Sequence, residues 1–448
     1  MIEIAAIALM FLAFSLFSRR LANTVISAPM FFLLGGMLLA SDLVRLVSFE
    51  DIEPVLLYVG ITALGLSFFN DASRIKLNAL RGNVHLPARL LFIGLPLTFL
   101  LGTLLAGWLI PDLFWVEAAL LAVILTPADT GLIAIVLSSP QVPVRIRQAI
   151  NIESSLNDGL TTPIVAILVA LSQTRLGYET ISYRLSFPIE QIVIAMLVGL
   201  LVGGAGGWLL RHAVQKKWIV PSFQGLVFPS LTVLVLTIAS ALNGNYFIAC
   251  FVGGATLGFF IQDFKQEHVG FSETLTHLLS LVVFLFLGAK LIESGDAISW
   301  QIVLYAILSL TLVRILPLSI AMLGNRLKPE SMLFIGWFGP RGLASIVLAD
   351  IVVGRVTGIP HANTIVSTVT VTVALSVVLH GVSAIPLIAW YAHRMTKLQP
   401  GAPEFQPAGE LPSRFAWSKL STHTEQRVAA WEGKRELYSE SEEPKDEN

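Results

Sequence analysis

Apolar stretches of about 20 residues recur along the chain, and they limit its fold more than any other feature. A helix needs about 20 apolar residues to cross the hydrocarbon layer of a bilayer. Thirteen segments meet or approach this length: 2–17, 24–40, 54–69, 90–110, 114–139, 147–172, 189–211, 222–242, 245–261, 277–294, 299–323, 331–354 and 363–392. In lipid the backbone polar groups must bond within each segment, which favours helices. We therefore expect an all-α polytopic membrane protein with thirteen transmembrane helices.

The distribution of charge divides the chain into two parts. Charged residues make up 13% of the 448 residues, whereas soluble proteins carry about 25%. Of the 59 charged side chains, 18 lie in the last 55 residues, from Arg394 onward. We predict a transmembrane domain over residues 1–392 and a cytoplasmic tail over residues 393–448, with a short helix around 414–437.

Composition also excludes several classes of partner. The net charge is -1 and no basic cluster stands out, so a nucleic-acid partner is not expected. The single cysteine, Cys250, lies in an apolar stretch and leaves no disulfide framework and no cysteine metal site. We expect no cofactor, and we expect the lipid bilayer to surround the protein.

The loops predict the orientation in the membrane. With the N-terminus outside, the inner loops and adjoining helix ends up to Lys397 hold 16 Lys or Arg residues, and the outer loops hold four. This excess is what the positive-inside rule requires. The first segment has its basic residues, Arg19 and Arg20, after the apolar run, which is typical of a membrane span rather than a cleaved signal. We expect a multi-pass protein of the plasma or inner membrane with a cytoplasmic C-terminus.

Two segments contain residues that interrupt a helix. The fifth reads LTPADTG, in which Pro127 lacks a backbone donor next to Asp129. The twelfth reads GWFGPRGLAS, with glycines and a proline around Arg341. These segments are seven spans apart and so cross the membrane in opposite directions. Interrupted helices at matching places in inverted halves indicate a transport site near the midplane. We expect inverted repeats whose two broken helices cross in the core of the protein.

The sixth segment, NIESSLNDGLTTPIV, carries polar groups at the same depth. A charge at the bilayer centre costs from about 2.5 kcal/mol upward, so such groups indicate function. Asp158 beside the uncharged Asn157 suits a carboxylate that takes up a proton and a cation in turn, although a packing role would also explain Asn157. Glu153 requires a permanent partner, and Arg314 and Arg341 are the arginines at comparable depth.

A hard cation such as sodium prefers several oxygen ligands. Asp129, Ser154 and Asp158 can supply them, together with carbonyls freed at the Thr126–Ala128 break, including that of Ala128. We predict these residues as the metal-binding set.

Other polar residues have simpler interpretations. Lys290 is predicted to extend its amine towards the outer membrane surface. Glu117 and Asp350 are interpreted as solvated helix ends, and His380 as a hydrogen-bonded histidine among small packing residues.

The motifs TPADTG, NIESSLNDG, FGPRGLAS and VVLHGVSAIPL occur in this order over residues 1–392. In these motifs the chain resembles the NhaP-type branch of the monovalent cation/proton antiporters, which includes the eukaryotic sodium/proton exchangers. The resemblance implies a homodimer whose subunits have a dimerisation part and a mobile core part. It also implies that Asp158 carries the ion and the proton, that Asn157 supports it, and that Asp129 and Ser154 help to bind the cation. Glu153 is implied to pair with an arginine.

The resemblance further implies electroneutral exchange of Na⁺ or Li⁺ for H⁺ by alternating access at Asp158. Potassium/proton exchange by the same residues is the alternative, and a passive cation channel is a third. The family usually has Thr-Asp-Pro where this chain has Ala128-Asp129-Thr130, which bears on the choice of ion. An enzyme is not expected, because an intramembrane aspartyl protease requires a Gly-x-Gly-Asp context that the sequence lacks.

Overall fold

The structure is a computed structural model that describes residues 2–21, 24–41, 53–74, 85–172, 181–261, 270–355, 359–399 and 401–406. Across these ranges the chain forms helices joined by turns, with no β-strand. The prediction of an all-α protein is confirmed. The predicted tail helix around 414–437 lies outside the described residues.

The helices follow one another in this order: α1 Ile2–Leu21, α2 Ala28–Ala40, α3 Glu53–Ser73, α4 His85–Arg89, α5 Leu95–Leu109, α6 Trp115–Ile124, α7 Ala134–Ser138, α8 Val144–Ser172, α9 Ile181–Gln215, α10 Pro221–Gln224, α11 Val227–Ala241, α12 Tyr246–Phe260, α13 Gly270–Glu293, α14 Trp300–Leu310, α15 Leu312–Met322, α16 Pro329–Trp337, α17 Leu343–Arg355 and α18 Ala362–Met395. A π-helical turn, Leu90–Gly94, joins α4 to α5, and a 3₁₀ turn, Thr130–Ile133, precedes α7.

The length and composition of the helices suit a membrane. Among the described residues, eight helical stretches are long and apolar enough to cross one, and five shorter apolar helices accompany them. Large apolar side chains such as Leu16, Trp108 and Leu201 point outward and are more than two-thirds exposed. A surface of this kind is stable only against lipid or another apolar partner.

The helices pack as two bundles. In the first, called the panel, α2 and α3 pack with α9, α11, α12 and α13, and α1 lies against α2. In the second, called the site bundle, α4 to α8 pack with α14 to α18. The bundles meet where α8 contacts α3, α9 and α12, where α17 contacts α3 and α13, and where α18 contacts α2 and α13. The part of this boundary that lies beside the helix breaks runs along α3 and α13.

Glycine allows the closest packing within the panel. A Cβ atom on Gly254 would overlap the carbonyl oxygen of Phe69, and one on Gly258 would overlap that of Ser73. The two glycines are four residues apart on α12 and face α3. Small residues at this spacing let helix backbones approach in the absence of water, so they hold α12 tightly to α3.

Four places in the site bundle depart from regular helix. Two of them, between α6 and α7 and between α16 and α17, coincide with the predicted breaks. The other two were not predicted: the π-helical turn just before Pro96, and a kink at Thr311, where φ is -109° and ψ is -86° between α14 and α15. Departures of this kind are common where a proline or a functional constraint disturbs the helical hydrogen-bond ladder.

A short segment after the last helix folds back onto the site bundle. Residues Pro403–Phe405 form a 3₁₀ turn, and the Glu404 side chain is fully buried. Its Oε1 atom accepts hydrogen bonds from Lys328 N at 2.8 Å and from Ser331 Oγ at 3.0 Å, at the start of α16. Arg145, near the start of α8, donates a hydrogen bond to the Pro403 carbonyl oxygen. The ordered fold thus continues to residue 406.

Candidate functional site

The first helix break lies between α6 and α7. Helix α6 ends at Ile124, and regular hydrogen bonding resumes in the 3₁₀ turn after Asp129. Thr126 Oγ1 donates to the carbonyl oxygen of Ala122 at 2.7 Å, while Pro127 has no N–H to offer. Asp129 Oδ1 accepts a hydrogen bond from Gly131 N at 2.8 Å. The carboxylate therefore caps the start of the second half of this broken helix.

The second break lies between α16 and α17, and the same aspartate reaches it. Asp129 Oδ2 accepts a hydrogen bond from Leu343 N, the first residue of α17, at 2.9 Å. In return, Asp129 N donates to the Pro340 carbonyl oxygen at 2.8 Å. A Cβ atom on Gly342 would overlap Asp129 Oδ2, so a larger residue there would displace the carboxylate. The half-helix ends meet at Asp129, as the positions of the two interruptions predicted.

Arg341 fills the opposite side of this crossing. Its side chain is fully buried, and Nη1 donates to the Thr126 carbonyl oxygen at 2.6 Å and to that of Pro127 at 3.2 Å. Its backbone N–H donates to Ser376 Oγ at 2.8 Å. A fixed positive charge thus lies at the carbonyl end of α6, where the helix dipole is negative. Two of the three carbonyls proposed as cation ligands are already occupied by this guanidinium, which leaves that of Ala128.

Glu153 pairs with Arg314, and not with Arg341. Arg314 Nη1 and Nη2 lie 2.8 Å and 2.6 Å from Glu153 Oε1 and Oε2, and both side chains are at most 3% exposed. Arg341 makes no ion pair with Glu153 within the described residues, which corrects its place as a candidate partner, because its guanidinium reaches the carbonyls of the first break. A Cβ atom on Gly339 would overlap the Arg314 guanidinium. The pair therefore joins α8 to α15 beside the second break.

Asn157 and Asp158 lie one turn further along α8. Asn157 is fully buried, and its Nδ2 atom lies 3.5 Å from Glu153 Oε1, at the limit of a hydrogen bond. Asp158 is buried, and its backbone carbonyl accepts a hydrogen bond from Thr162 Oγ1 at 2.7 Å. Ser154 Oγ is buried and has no hydrogen-bond partner among the described residues. These placements keep all three predicted residues in the protein interior.

A cavity brings the two aspartates together. Asp129 and Asp158 line it with Ala128 and Gly342 from the two breaks, and α3 contributes Ser67. The remaining lining residues are Leu64, Pro127, Leu343 and Ala344. Neither Ser154 nor Asn157 lines this cavity, so of the predicted cation ligands it unites Ala128, Asp129 and Asp158. Carboxylate and carbonyl oxygens are the ligands that hard monovalent cations prefer.

A second cavity reaches Asp129 from the side of α3 and α13. Its polar lining residues are Ser67, Asn70, Asp129, Glu273, Thr276, His277 and Ser280. Ser67, Asp129 and Leu343 line both cavities. Glu273 forms an ion pair with Arg74, the residue after the end of α3, within the panel. The two cavities therefore adjoin at the three residues that they share, and polar side chains of the panel lie on the side of Asp129 that faces the boundary between the bundles.

Sequence reasoning missed the polar groups that the panel adds. The polar groups concerned are Ser67 and Asn70, which are uncharged, and His277, which lies in a short polar run. The sequence alone does not distinguish them from residues that pack between helices. Their signal is spacing only, since Leu64, Ser67 and Asn70 are three residues apart and share one face of α3.

One simpler interpretation was incomplete and another was wrong. Lys290 forms an ion pair with Asp350 that joins α13 to α17, a contact that the sequence did not predict. Glu117 is 2% exposed instead of solvated, and its Oε2 atom lies 2.8 Å from His361 Nδ1 and accepts a hydrogen bond from Phe114 N at 2.9 Å. His380 is fully buried, and its ring nitrogens each lie 2.9 Å from a backbone carbonyl oxygen, as expected of a hydrogen-bonded histidine.

Several curated proteins are similar to this chain. It is 23% identical over 360 residues to the K⁺/H⁺ antiporter NhaP2 of Shewanella sp. (strain MR-4), covering 79% of this chain and 60% of that protein. It is 23% identical over 384 residues to the K⁺/H⁺ antiporter NhaP of Alkalimonas amylolytica, covering 83% and 64%. A Na⁺/H⁺ antiporter of Saccharomyces cerevisiae is 26% identical over 284 residues, covering 57% and 28%. The chain thus spans less than two-thirds of the length of these relatives.

Solved structures share the fold. The sodium proton antiporter MjNhaP1 from Methanocaldococcus jannaschii, determined at pH 8, superimposes with a TM-score of 0.68 at 21% sequence identity. The match covers 87% of this chain and 99% of that one. An electron-microscopy structure of the same antiporter gives a TM-score of 0.70 at 20% identity.

A family model describes most of the chain. The model for the transmembrane sodium/hydrogen exchangers matches residues 5–390, which include both helix breaks, both aspartates and the Glu153–Arg314 pair. The chain belongs to the transmembrane sodium/hydrogen exchanger family.

Proposed function

We propose that this protein exchanges a monovalent cation, Na⁺ or Li⁺, for H⁺, and that both ions use Asp158. The observation that carries the proposal is the cavity in which Asp129, Asp158 and Ala128 meet between two broken helices. A carboxylate in such a place can be neutralised by a proton or by a cation, but not by both at once. Binding of one ion then requires release of the other.

The surrounding contacts favour Asp158 as the exchanging group. Asp129 holds two half-helices through Gly131 N and Leu343 N, and Glu153 holds Arg314. Protonating either of them would weaken contacts on which the crossing depends. Asn157 next to Asp158 is uncharged, so one carboxylate changes its charge state in each cycle. This arrangement supports electroneutral one-for-one exchange, with Asp129, Ala128 and Ser154 as ligands or close supports of the cation.

The wider architecture belongs to the same proposal. The eight long and five shorter apolar helices of the described residues agree in number with the proposed thirteen membrane spans. We place the two broken helices in inverted halves of this arrangement. The loop charges support an outer N-terminus and a cytoplasmic C-terminus in the plasma or inner membrane. The panel offers broad exposed apolar faces, on α1 and α9 for example, that support a homodimer. Alternating access then consists of movement of the site bundle against the panel.

Potassium is the second candidate cation. Two of the similar proteins above carry the description K⁺/H⁺ antiporter. The residue next to Asp129 on each side, Ala128 and Thr130, also differs from the usual family pattern. A cavity lined by few charged oxygens would favour K⁺ over Na⁺, because K⁺ loses its hydration shell more easily.

Purified protein in liposomes tests the proposal. A pH-sensitive dye inside the vesicles should report proton movement when Na⁺, Li⁺ or K⁺ is added outside, with saturation and without membrane current. D158N should abolish this exchange, and the variant should keep the melting temperature and gel-filtration profile of the wild type. Normal exchange by D158N would refute the role of Asp158. A current that reverses at the Nernst potential of the cation would show that the protein is a channel.

A further inference from the structure

The two cavities of the site meet at one hydroxyl group that belongs to the other bundle. Ser67 lies on α3, in the panel, and lines both the cavity that holds Asp158 and the polar cavity beyond it. The other residues that line both cavities, Asp129 and Leu343, belong to the site bundle. Ser67 is therefore the panel residue that the two cavities share.

The stripe of α3 that faces the site has one group in position to serve an ion. Leu64 lines only the aspartate cavity and is apolar, and Asn70 lines only the polar cavity. The Asn70 amide is already engaged, because Nδ2 donates to Thr276 Oγ1 at 3.1 Å and Oδ1 accepts from Ser272 Oγ at 2.9 Å. Both bonds stay within the panel. Ser67, which lies between Leu64 and Asn70, is therefore the residue of this stripe whose side chain is available to bind an ion.

The Ser67 side chain is 3% exposed, yet no hydrogen bond joins its hydroxyl to any described residue. Hydroxyls on neighbouring helices behave differently, as when Thr232 Oγ1 donates to the Phe228 carbonyl oxygen at 2.9 Å. Unlike Ser154 Oγ, this hydroxyl is not fully enclosed, because it borders a cavity whose other walls carry two carboxylates. A hydroxyl oxygen can act as a ligand, so a cation in this cavity would bind Ser67 together with the two carboxylates.

We propose that Ser67 is a further oxygen ligand of the transported cation, supplied by the panel to the site that Asp129, Asp158 and Ala128 form. This inference rests on the function proposed above and adds a specificity-determining residue to it. Because Ser67 and the aspartates lie on different bundles, the cation keeps this ligand only while the bundles are arranged as in this structure. A proton on Asp158 needs no such ligand, so Ser67 affects the cation-loaded form and not the proton-loaded form.

Three substitutions separate ligation from packing. S67A removes the oxygen, S67T keeps a hydroxyl, and S67C keeps the size but offers sulfur, which is a poor ligand for a hard cation. The matched control is T232V, because Thr232 is a buried hydroxyl of the panel that lines neither cavity, and its Oγ1 donates to the Phe228 carbonyl oxygen at 2.9 Å.

The measurement is the half-saturation concentration and maximal rate of exchange in liposomes for Na⁺, Li⁺ and K⁺. S67A and S67C should raise the half-saturation concentration about tenfold for the transported cation and change the maximal rate less than about twofold. S67T and T232V should stay within about twofold of the wild type. An unchanged half-saturation concentration in S67A, or an equal rise in S67T, would overturn the ligand role.

A second readout needs no transport. Cys250, the single native cysteine, is fully buried, so the S67C thiol can be labelled selectively from the polar cavity. Na⁺, Li⁺ or K⁺ should slow its reaction with a methanethiosulfonate reagent, and choline at equal ionic strength should not. Equal rates in all salts would refute the proposal about Ser67. If the wild type failed to exchange ions while the cation still protected this thiol, the transport function would be wrong and the binding site would stand.

Discussion

Arg314 and Glu153 form a bidentate ion pair, with N–O distances of 2.8 Å and 2.6 Å, that joins α15 to α8 in the interior of the protein. Both side chains are at most 3% exposed, so water can compensate neither charge. Removal of one partner leaves the other charge buried without compensation. Such losses cost about 3–5 kcal/mol in soluble proteins.

E153Q and R314Q should each therefore lower the thermal stability of the detergent-purified protein markedly. The double replacement E153Q/R314Q should be less harmful than the sum of the two, because it leaves no unbalanced charge. Melting curves followed by intrinsic fluorescence would measure this, with D158N as a buried-carboxylate control of wild-type stability. Additive losses in the double variant would mean that the two residues do not act as a pair.

The shared use of Asp158 predicts a pH dependence with a definite sign. A proton on the carboxylate must leave before the cation binds, so falling pH should raise the half-saturation concentration for the cation. The rise should approach about tenfold per pH unit where the protonated form dominates, and vanish where the carboxylate is already ionised. Initial exchange rates at pH 6 to 9 would show this, whereas a constant half-saturation value would exclude competition at one site.

Gly342 predicts a steric effect at the crossing of the broken helices. A Cβ atom there would overlap Asp129 Oδ2, so G342A should displace the carboxylate from Leu343 N. Overpacking of this kind costs about 1–3 kcal/mol, and it should also reduce exchange because Asp129 lines the cavity. G270A is the control, since no atom lies within 4 Å of a Cβ added at Gly270. If G342A had the melting temperature and exchange rate of the wild type, the crossing of the broken helices would tolerate displacement of the Asp129 carboxylate.

The ion pair between Lys290 and Asp350 joins the panel to the site bundle. Both side chains are about one-fifth to one-quarter exposed, so the coupling between them should be about 1 kcal/mol or less. K290Q and D350N should therefore change stability and exchange rate by similar small amounts, and the charge-reversed pair K290D/D350K should recover most of the loss. A double-mutant cycle on the exchange rate would measure the coupling, and a zero value would mean that the contact has no energetic role.

Local chain chemistry was enough to locate the helix breaks and the residues of the crossing. Pro127 cannot donate a backbone hydrogen bond, and the glycines on both sides of Arg341 weaken a helix, whatever surrounds them. The depth of Glu153, Asn157 and Asp158 followed from their positions in an apolar segment. These features depend on one segment at a time, and the structure places them where the sequence predicted.

Contacts between segments could not be read in the same way. Arg314 and Arg341 lie at similar depth, and only the rotation of α15 and the path of the second break decide that Arg314 reaches Glu153. The role of Asp129 as a cap for two helices depends on Leu343, which is 214 residues away. Ser67 approaches the aspartates only because α3 packs beside α8 and α17. Helix periodicity does not determine any of these rotations.

The buried position of Glu404 bears on any attempt to remove the C-terminal region. A chain shortened at residue 393 would lose the acceptor of Lys328 N and Ser331 Oγ, and Arg145 would lose the Pro403 carbonyl. The first turn of α16 and the beginning of α8 would then lose these contacts and become accessible to water. A truncation that keeps residues 1–406 would retain these contacts. Such a variant would separate the contribution of residues 407–448 from damage to the transport domain.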